Sequence, residues 1–262
     1  MFFSGFVSSC SRLSAGWVAL LSFLLMGGLV GCAVTEPVVD AEAAAMPPAL
    51  SDWSPRALPG KRITQYSLAS RAGQACVLAQ ATQSVSLWRR SMNVDSAHIE
   101  RLQFDWWIQA LEPRATVTDP DTDDAPARLL LGFAGDESKL SMRNRLQFEL
   151  AQALTGEMPP YATLMYVWDA SAAPETVIIS ARSDRIRKIV VGSGLGGKGM
   201  WQRKQRDVRA DYEKAFGEPP GRLVSMAMMT DGDNTSSRTS ACYGNILLLD
   251  SAGQALVGSL QL

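Results

Sequence analysis

The sequence contains a single histidine among 262 residues, His98. A Ser-His-Asp triad or a zinc site built on several histidines is therefore almost excluded. The nucleophile-elbow pattern Gly-x-Ser-x-Gly is absent from the sequence. The segment 192–198 is rich in glycine, but it lacks the Walker spacing of a phosphate-binding loop. These absences favour a protein without a conventional catalytic apparatus.

The sequence also has no excess of basic residues. It contains 25 Lys and Arg against 26 Asp and Glu. Loss of residues 1–31 would remove one more cation, Arg12. A nucleic-acid-binding surface needs a basic field to attract phosphates. We therefore expect no nucleic-acid partner.

No apolar run near the start is long enough to span a bilayer, which takes ~20 residues. The run Trp17–Met26 follows the lone cation Arg12, and this order predicts a secretory signal over residues 1–31. The signal ends in Leu29-Val30-Gly31-Cys32, which resembles the lipobox of bacterial lipoproteins. That resemblance implies cleavage before Cys32 and acylation of this cysteine.

The implied acyl chains would anchor the protein to a membrane, since each buried CH₂ contributes ~0.8 kcal/mol. Ala33 stands where an Asp would resemble the inner-membrane retention signal, so we expect the periplasmic face of the outer membrane. Residues 32–50 are rich in Ala, Pro and Val and predict a flexible tether. Residues 51–262 have a length that suits one domain.

Cysteine is scarce in the folded part. Of four cysteines, Cys10 lies in the signal and Cys32 in the lipobox, which leaves Cys76 and Cys242. An oxidising periplasm would let these two form a disulfide. Two buried free thiols are the alternative, and sequence spacing leaves both open.

Short runs with period-2 alternation dominate residues 51–262, as in Leu102–Leu111. Strands are predicted at 62–69, 75–79, 84–90, 102–111, 128–133, 164–168, 176–180, 186–191, 224–229, 241–249 and 255–260. Helices are predicted at 141–154, where Met142, Leu146, Leu150 and Leu154 recur at i, i+4, and at 208–216. The pattern predicts a mainly β domain, a β-sandwich or jelly-roll-like fold with two short inserted helices.

The densest set of charged and turn residues lies between 203 and 245. We expect one polar cluster there, in which Arg–Asp pairs hold the second helix against the loop at Asp231. The candidate binding residues are Arg206, Asp207, Asp211, Asp231, Asp233 and Asn234. Perturbed charged groups gather at functional sites, but a structural ion-pair network gives the same pattern. Both interpretations stay open.

Two acidic segments, 119–124 and 231–234, offer oxygen atoms of the kind that calcium prefers. Neither has the glycine and glutamate positions of an EF-hand, because Asp124 and Leu130 occupy them in the first and Cys242 takes the glutamate position in the second. We therefore assign no metal site, and calcium remains an alternative. Glycoside cleavage would need a carboxylate pair, although the neighbouring arginines favour ion pairing. The candidates for that pair are Asp207, Asp211, Asp231 and Asp233.

Tryptophan is frequent, with six copies after the predicted signal. Exposed Trp rings can stack on sugars, although most such residues fill the core. Trp107 alternates away from the apolar face of its strand and is the best candidate for an exposed ring, with Trp168 as a second.

Several motifs together resemble a bacterial family known as domain of unknown function 3047. They are Pro160 to Trp168 with its Tyr-Val-Trp end, Arg206-Asp207-Val208, Ala210-Asp211-Tyr212, Phe216-Gly217-Glu218-Pro219, Met229-Thr230-Asp231, Asp233-Asn234-Thr235, Tyr243-Gly244-Asn245-Ile246, and Asp123-Asp124 before Arg128. The resemblance runs from about Trp53 to Leu249. Gly232, Asn245 and Cys242 depart from the family's usual residues. The resemblance implies no established activity.

The leading hypothesis is a non-enzymatic envelope lipoprotein that binds a carbohydrate or another envelope ligand. It rests on the predicted anchor, the β-rich pattern and the surplus of Trp. The alternatives are a carboxylate-based hydrolase of envelope glycans and a purely structural envelope protein.

Overall fold

The structure is a computed structural model that describes residues 50–262. The predicted signal, Cys32 and nearly all of the predicted tether lie outside these described residues. No helix in residues 50–262 combines the length and the apolar character needed to cross a bilayer.

Two β-sheets make up most of the described chain. The strands are β1 (Trp53–Ala57), β2 (Gln65–Arg71), β3 (Gln74–Thr82), β4 (Ser86–Val94), β5 (Arg101–Ala110), β6 (Arg128–Phe133), β7 (Ala162–Asp169), β8 (Val177–Ile179), β9 (Ile186–Ser193), β10 (Trp201–Arg206), β11 (Leu223–Met229) and β12 (Arg238–Leu249). The helices are α1 (Met142–Thr155) and α2 (Val208–Phe216).

The larger sheet has the strand order β1-β4-β11-β6-β7-β9-β8, and the smaller has the order β10-β5-β12-β3-β2. All named strand pairs in residues 50–262 are antiparallel except β7 with β9. The predicted mainly β, jelly-roll-like sandwich with two helices is confirmed.

The core lies between the two sheets and follows from period-2 alternation. On β5, Phe104, Trp106 and Ile108 point inward and are almost fully buried. Phe104 packs edge to face with Trp106 at a centroid distance of 4.9 Å, and it stacks on Tyr166 from the opposite sheet at 5.8 Å. Burial of these large rings is the main contribution that holds the sheets together.

Both predicted helices are present; α2 has its predicted bounds, and α1 is shifted by one residue from 141–154. The side chain of Ser141 accepts a hydrogen bond from the backbone N–H of Asn144 and caps α1. Asp207 caps α2 in the same way. Each helix is followed by a glycine in the left-handed region, Gly156 at φ 77° and Gly217 at φ 73°.

The apolar stripe of α1 points to solvent instead of the core. An amphipathic helix ordinarily buries such a stripe. Here the buried residues of α1 are Asn144 and Phe148. Asn144 is held by polar contacts, because its carboxamide bonds the Asp184 carboxylate at 2.6 Å and accepts from the Ser183 hydroxyl at 2.9 Å. These contacts with the turn between β8 and β9 fix which face of α1 is buried.

Three strand predictions need correction. β1 and β10 were not predicted, because both are edge strands with few apolar residues. The predicted strand at 255–260 is reduced to two isolated bridges, at Ala255 and Leu260. Its backbone pairs with β12 at those two points only, because turns interrupt the segment.

A disulfide joins Cys76 on β3 to Cys242 on β12, with Cα atoms 5.6 Å apart. Of the two alternatives left open by the sequence, the structure therefore has the bridge. β2 and β3 form a hairpin whose two-residue turn, Ala72 and Gly73, has positive φ at both positions, 49° and 78°. That is the type I′ geometry that suits the right-handed twist of a hairpin.

Candidate functional site

A buried ion-pair group lies where β6 begins. The Arg128 guanidinium donates to both carboxylate oxygens of Asp231, from Nε at 2.9 Å and from Nη2 at 2.8 Å. The same Nη2 also reaches Asp123 at 3.0 Å. Both Arg128 and Asp231 have side chains only 3% exposed. A bidentate pair of this kind is strong and geometrically specific.

Lys188 on β9 completes this group. Its ammonium donates to the Asp123 carboxylate and to the backbone carbonyl of Val117. The group, hereafter the outer ion-pair group, therefore consists of Arg128, Lys188, Asp123 and Asp231. Two cations and two anions balance one another, and each of the four side chains has an oppositely charged partner.

The pKa shifts reflect competition between burial and charge. Burial raises the pKa of Asp231 to about 7, although Arg128 opposes the rise. Burial acts in the same direction on Asp123, but Arg128 and Lys188 outweigh it and hold the pKa of Asp123 below its usual value. Burial lowers the pKa of Lys188, against the effect of Asp123.

The loop after Asp231 is held by Asp124. The Asp124 carboxylate accepts from the backbone N–H of Asn234 at 3.1 Å and of Thr235 at 2.6 Å. Asp233 pairs with Lys61 at 2.6 Å. Ligand atoms of Asp124, Asp231 and Asp233 lie within 4.8 Å of one another. Because cations and backbone N–H groups already satisfy these carboxylates, their contacts are those of a structural loop.

A second ion-pair group lies at α2. The Arg206 guanidinium forms a bidentate pair with Asp211, at 2.8 and 2.7 Å, and another with Glu175, at 2.6 and 3.0 Å. The Tyr166 hydroxyl donates to Asp211 at 2.8 Å. Hydrogen bonds from Arg206 lower the pKa of Glu175 to about 2. Arg206, Asp211, Glu175 and Tyr166 are hereafter the inner ion-pair group.

The predicted single polar cluster is therefore corrected to two groups. Arg128 pairs directly with Val167 across the sheet, and Val167 packs in a small apolar cluster outside the main core. The next residue, Tyr166, belongs to the main core. Alternation places the two groups on opposite faces of the larger sheet. Asp231 pairs with Arg128 on β6, so no Arg–Asp pair joins α2 to the Asp231 loop.

Asp207 and Asn234 have local backbone roles. The Asp207 carboxylate caps α2 by accepting from the backbone N–H of Ala210 at 3.0 Å. The Asn234 side chain donates to the backbone carbonyl of Pro120 at 2.9 Å. Both contacts position chain segments.

Of the two aromatic candidates, only Trp107 is accessible. Trp168 is 2% exposed, and its indole N–H donates to the Gly194 carbonyl at 3.1 Å. Added Cβ atoms at Gly192 and Gly197 would lie 2.3 Å from its ring, so glycine backbone covers it. Trp168 is thus a core residue, which corrects its assignment as a candidate. Trp107 is half-buried and lies edge to face with Trp201 at 5.9 Å.

The outer face of β5 and β10 carries polar groups beside these two rings. Directly paired residues on antiparallel strands share a face. The pairs on this face are Trp107 with Trp201, Asp105 with Arg203, and Gln103 with Gln205. We call these six residues the β5–β10 face.

The polar pairs on the β5–β10 face contact each other. The Arg203 guanidinium donates to both Asp105 oxygens, at 2.8 and 3.3 Å. Arg203 is 61% exposed, whereas the Asp105 side chain is 4% exposed. The Gln205 amide donates to the Gln103 carbonyl at 3.2 Å. The buried carboxylate therefore orients an exposed guanidinium.

Trp201 is locked in place by the β2–β3 hairpin and by a glycine. Its indole N–H donates to the Arg71 carbonyl at 2.9 Å. A Cβ added to Gly244 would lie 3.2 Å from the Trp201 ring, 3.1 Å from Asp105 Cβ and 2.7 Å from the Gln74 amide nitrogen. Glycine at 244 lets the ring lie against β12, so the aromatic pair is pre-formed.

A cleft of about 300 Å³ lies on the other sheet, beside the segment that joins α1 to β7. Its wall includes Arg89, Glu157 and Tyr161. Glu157 is paired with Arg56 at 3.0 Å and with Arg89. The Tyr161 ring is 6% exposed and offers no free aromatic surface.

Comparison with family models matches residues 51–247 to DUF3047, described as a protein of unknown function. The chain belongs to the DUF3047 family. A search of curated protein sequences found no significant match.

Two solved structures resemble this DUF3047 protein at low similarity. The family 11 carbohydrate-binding module from Clostridium thermocellum, in complex with a β-1,3-1,4-mixed-linked tetrasaccharide, has 10% identity and a TM-score of 0.35 over 75% of this chain and 87% of that chain. The family 11 xylanase from Neocallimastix patriciarum has 10% identity and a TM-score of 0.31, over 70% of this chain and 85% of that chain. These likenesses concern the fold alone.

Sequence reasoning missed most of the β5–β10 face in this DUF3047 protein. Trp201, Arg203 and Gln205 lie on β10, which was not predicted as a strand. A pattern that predicts strand β10 was present in the sequence, because these three residues alternate at period 2 just after Gly199. The partner residue Asp105 lies on β5, where alternation had already placed it on the outer face.

Proposed function

We propose that this protein binds carbohydrate, without turnover, on the β5–β10 face. The observation that carries the proposal is the half-buried, pre-formed pair Trp107 and Trp201 beside an oriented guanidinium and two carboxamides. A sugar ring has an apolar C–H face and a polar rim. A binding site for it needs an aromatic surface with a few fixed polar groups.

The order of groups along the face supports an extended glycan over a single sugar. Along β5, Trp107, Asp105 and Gln103 lie two residues apart, so they span roughly 14 Å at the rise of a strand. The aromatic pair is at one end, the carboxylate–guanidinium pair is in the middle and the carboxamides are at the other end. An elongated ligand could contact all three in turn.

The ion pairs of two candidate carboxylates, Asp211 and Asp231, support binding over the hydrolase alternative. It requires two carboxylates that face each other across one cleft. Asp211 is bound by Arg206 in the inner group, and Asp231 is bound by Arg128 in the outer group. Both carboxylates are buried, at 6% and 2% exposure. Both carboxylates form ion pairs with arginines and do not face a groove.

We further propose that acylated Cys32 anchors the protein at the periplasmic face of the outer membrane. Its support is the order of Arg12, the apolar run 17–26 and Gly31-Cys32 in the sequence, with Ala33 after the cysteine. Metabolic labelling with a fatty acid tests this proposal. Label on the wild type and its loss in Cys32→Ala are expected, and an unlabelled wild type contradicts the anchor.

The glycan proposal is tested with the full chain against soluble β-glucans and peptidoglycan fragments, with and without calcium. We expect binding without product release. Trp107→Ala should weaken the affinity at least about tenfold, which corresponds to ~1.4 kcal/mol. Arg203→Ala should also weaken the affinity, because the variant lacks the exposed guanidinium that would contact the ligand.

The matched control is Ile179→Ala, an exposed apolar residue on β8 at the far edge of the other sheet. It should leave affinity unchanged. Equal affinity of Trp107→Ala and wild type would reject the β5–β10 face as the site. Turnover abolished by Asp211→Asn or Asp231→Asn in a stably folded variant would replace the binding proposal with the hydrolase. No binding to any glycan would favour a purely structural role.

A further inference from the structure

Helix α1 exposes a continuous stripe of large apolar side chains. Met142, Leu146, Leu150 and Leu154 are 69%, 58%, 59% and 62% exposed, and Met158 just beyond the helix is 40% exposed. The four helical residues repeat at i, i+4 and cover roughly 18 Å of helix length at 1.5 Å per residue. Single exposed apolar residues are normal on a protein, but a contiguous row marks an interaction surface.

The stripe points directly away from the body of the protein. At 100° per residue, Leu146 and Leu150 lie 160° from Phe148 in either direction, and Phe148 is buried in the main core. Phe148 and the bonded Asn144 fix this orientation. Rotation of α1 to bury the stripe would break the Asn144–Asp184 hydrogen bond and expose Phe148.

The rim of the stripe carries exposed cations near the start of α1. Arg143 lies on the helix, and its guanidinium donates to the Ala181 carbonyl at 3.3 Å. Lys139 and Arg182 lie close to it, before α1 and in the β8–β9 turn. Exposed acids lie nearby as well, Glu149 on α1 and Asp136 and Glu137 just before Lys139. Arg143 on α1 is the kind of cation that borders the apolar face of a helix in a membrane interface.

The chain that precedes the described residues can bring this surface to a membrane. Seventeen residues, 33–49, separate Cys32 from Leu50. The tether predicted from the sequence would have an r.m.s. span of about 20–25 Å as a flexible coil and a full reach of ~60 Å. β1 starts three residues after Leu50, and its Arg56 pairs with Glu157 just past the end of α1. The anchor point and α1 are therefore within reach of one lipid surface.

A second copy of the chain fits the stripe less well. Five partly exposed side chains offer roughly 500 Å², so two stripes would bury roughly 1,000 Å² together, below the ~1,200–2,000 Å² of stable specific interfaces. A lipid surface requires no matching shape from its partner and accepts a narrow stripe.

We propose that α1 lies on the lipid surface to which Cys32 is anchored, with Met142, Leu146, Leu150 and Leu154 inserted among the acyl chains. This inference rests on the proposed anchor. It assigns the anchored domain a fixed orientation, in which α1 faces the membrane.

The test uses the full acylated chain in vesicles of phosphatidylethanolamine and phosphatidylglycerol that contain a spin-labelled quencher lipid. A fluorescent probe is placed at Leu154→Cys, and a control probe at Gln80→Cys, an exposed site on the other sheet. We expect quenching at 154 to exceed that at 80 by at least about fivefold. The variant L146E/L150E should remove the excess, with an unchanged melting temperature because both side chains are exposed.

The possible outcomes distinguish membrane contact by α1 from anchoring through Cys32. If the chain floats with vesicles but probe 154 is quenched no more than probe 80, the anchor stands and this inference is overturned. If wild type and Cys32→Ala float equally poorly, the anchor fails. Vesicle titration of the unacylated chain then decides, since weaker binding of L146E/L150E supports the helix and equal binding overturns it. A wild-type dimer that L146E/L150E dissociates, without lipid quenching, also overturns it.

Discussion

Asp231→Asn should destabilise the protein strongly, because it removes one charge from a buried pair. Arg128 and Asp231 are each 3% exposed, and two hydrogen bonds join them. Loss of one partner from a buried pair costs about 3–5 kcal/mol. The Asp123 contact to Arg128 remains in the variant, so we expect the lower end, about 3 kcal/mol.

Chemical denaturation and thermal unfolding measure this change. For a domain of this size, about 3 kcal/mol corresponds to a fall in melting temperature of roughly 6–12 °C. The matched control is Asp233→Asn, two residues away. Its partner Lys61 is 38% exposed, so loss of that pair should cost at most ~1 kcal/mol.

A double-mutant cycle with Arg128→Met tests the interaction itself. Arg128→Met leaves Asp231 buried without its cation, and the double variant removes both charges. We expect the double variant to lose less stability than the sum of the single losses, by at least ~1 kcal/mol. Strictly additive losses would refute the interaction energy inferred from the geometry.

The Arg128→Met variant should lose stability with rising pH over a wider range than the wild type does. Burial raises the pKa of Asp231 to about 7 even with Arg128 present, and removal of that cation raises it further. The folded variant then binds a proton that the unfolded chain releases near pH 4. Its stability is highest in acid and falls as pH rises through the folded pKa. A flat profile between pH 4 and 8 would contradict this reasoning.

Three further predictions concern other parts of the fold. Arg206 lowers the pKa of Glu175 to about 2. Ionised Glu175 therefore stabilises the fold above pH ~4.5, and this stabilisation is lost as pH falls towards 2. Glu175→Gln should flatten that part of a stability–pH profile. In Gly244→Ala the added Cβ would lie 2.7 Å from the Gln74 amide nitrogen and 3.2 Å from the Trp201 ring, so both side chains should shift. We expect a cost of about 1–3 kcal/mol and a change in near-ultraviolet circular dichroism, and an unaltered spectrum argues against the close contact. Cys76→Ala opens a disulfide with a sequence separation of 166 residues and should cost about 2–5 kcal/mol in non-reducing denaturation, a loss that disappears when both proteins are compared reduced.

The candidate site shows which of its residues local sequence patterns can predict. Alternation along β5 identified Trp107 as the outward ring, and the structure leaves it half-buried at the surface. The same kind of reasoning failed at Trp168, because glycine backbone from the 192–197 turn covers that ring. A turn distant in the chain decides its burial, and no pattern around Trp168 contains that information.

The sequence likewise could not predict which charged residues pair with each other. Arg206 and Asp231 are close in the chain, and proximity favoured a single cluster. The structure pairs Asp231 with Arg128, 103 residues away, on the outer face of the larger sheet. Ion pairs form between side chains that share a face, and the face depends on strand register.

What the sequence by itself determined is the fold class, the two helices with their caps and the alternation of the main strands. These depend on interactions between residues a few positions apart. Only the tertiary structure decided which way the α1 stripe points, because the long-range contacts of Asn144 and Phe148 override the apolar pattern. It also created the β5–β10 face, since Trp107 and Trp201 meet only when β10 pairs with β5.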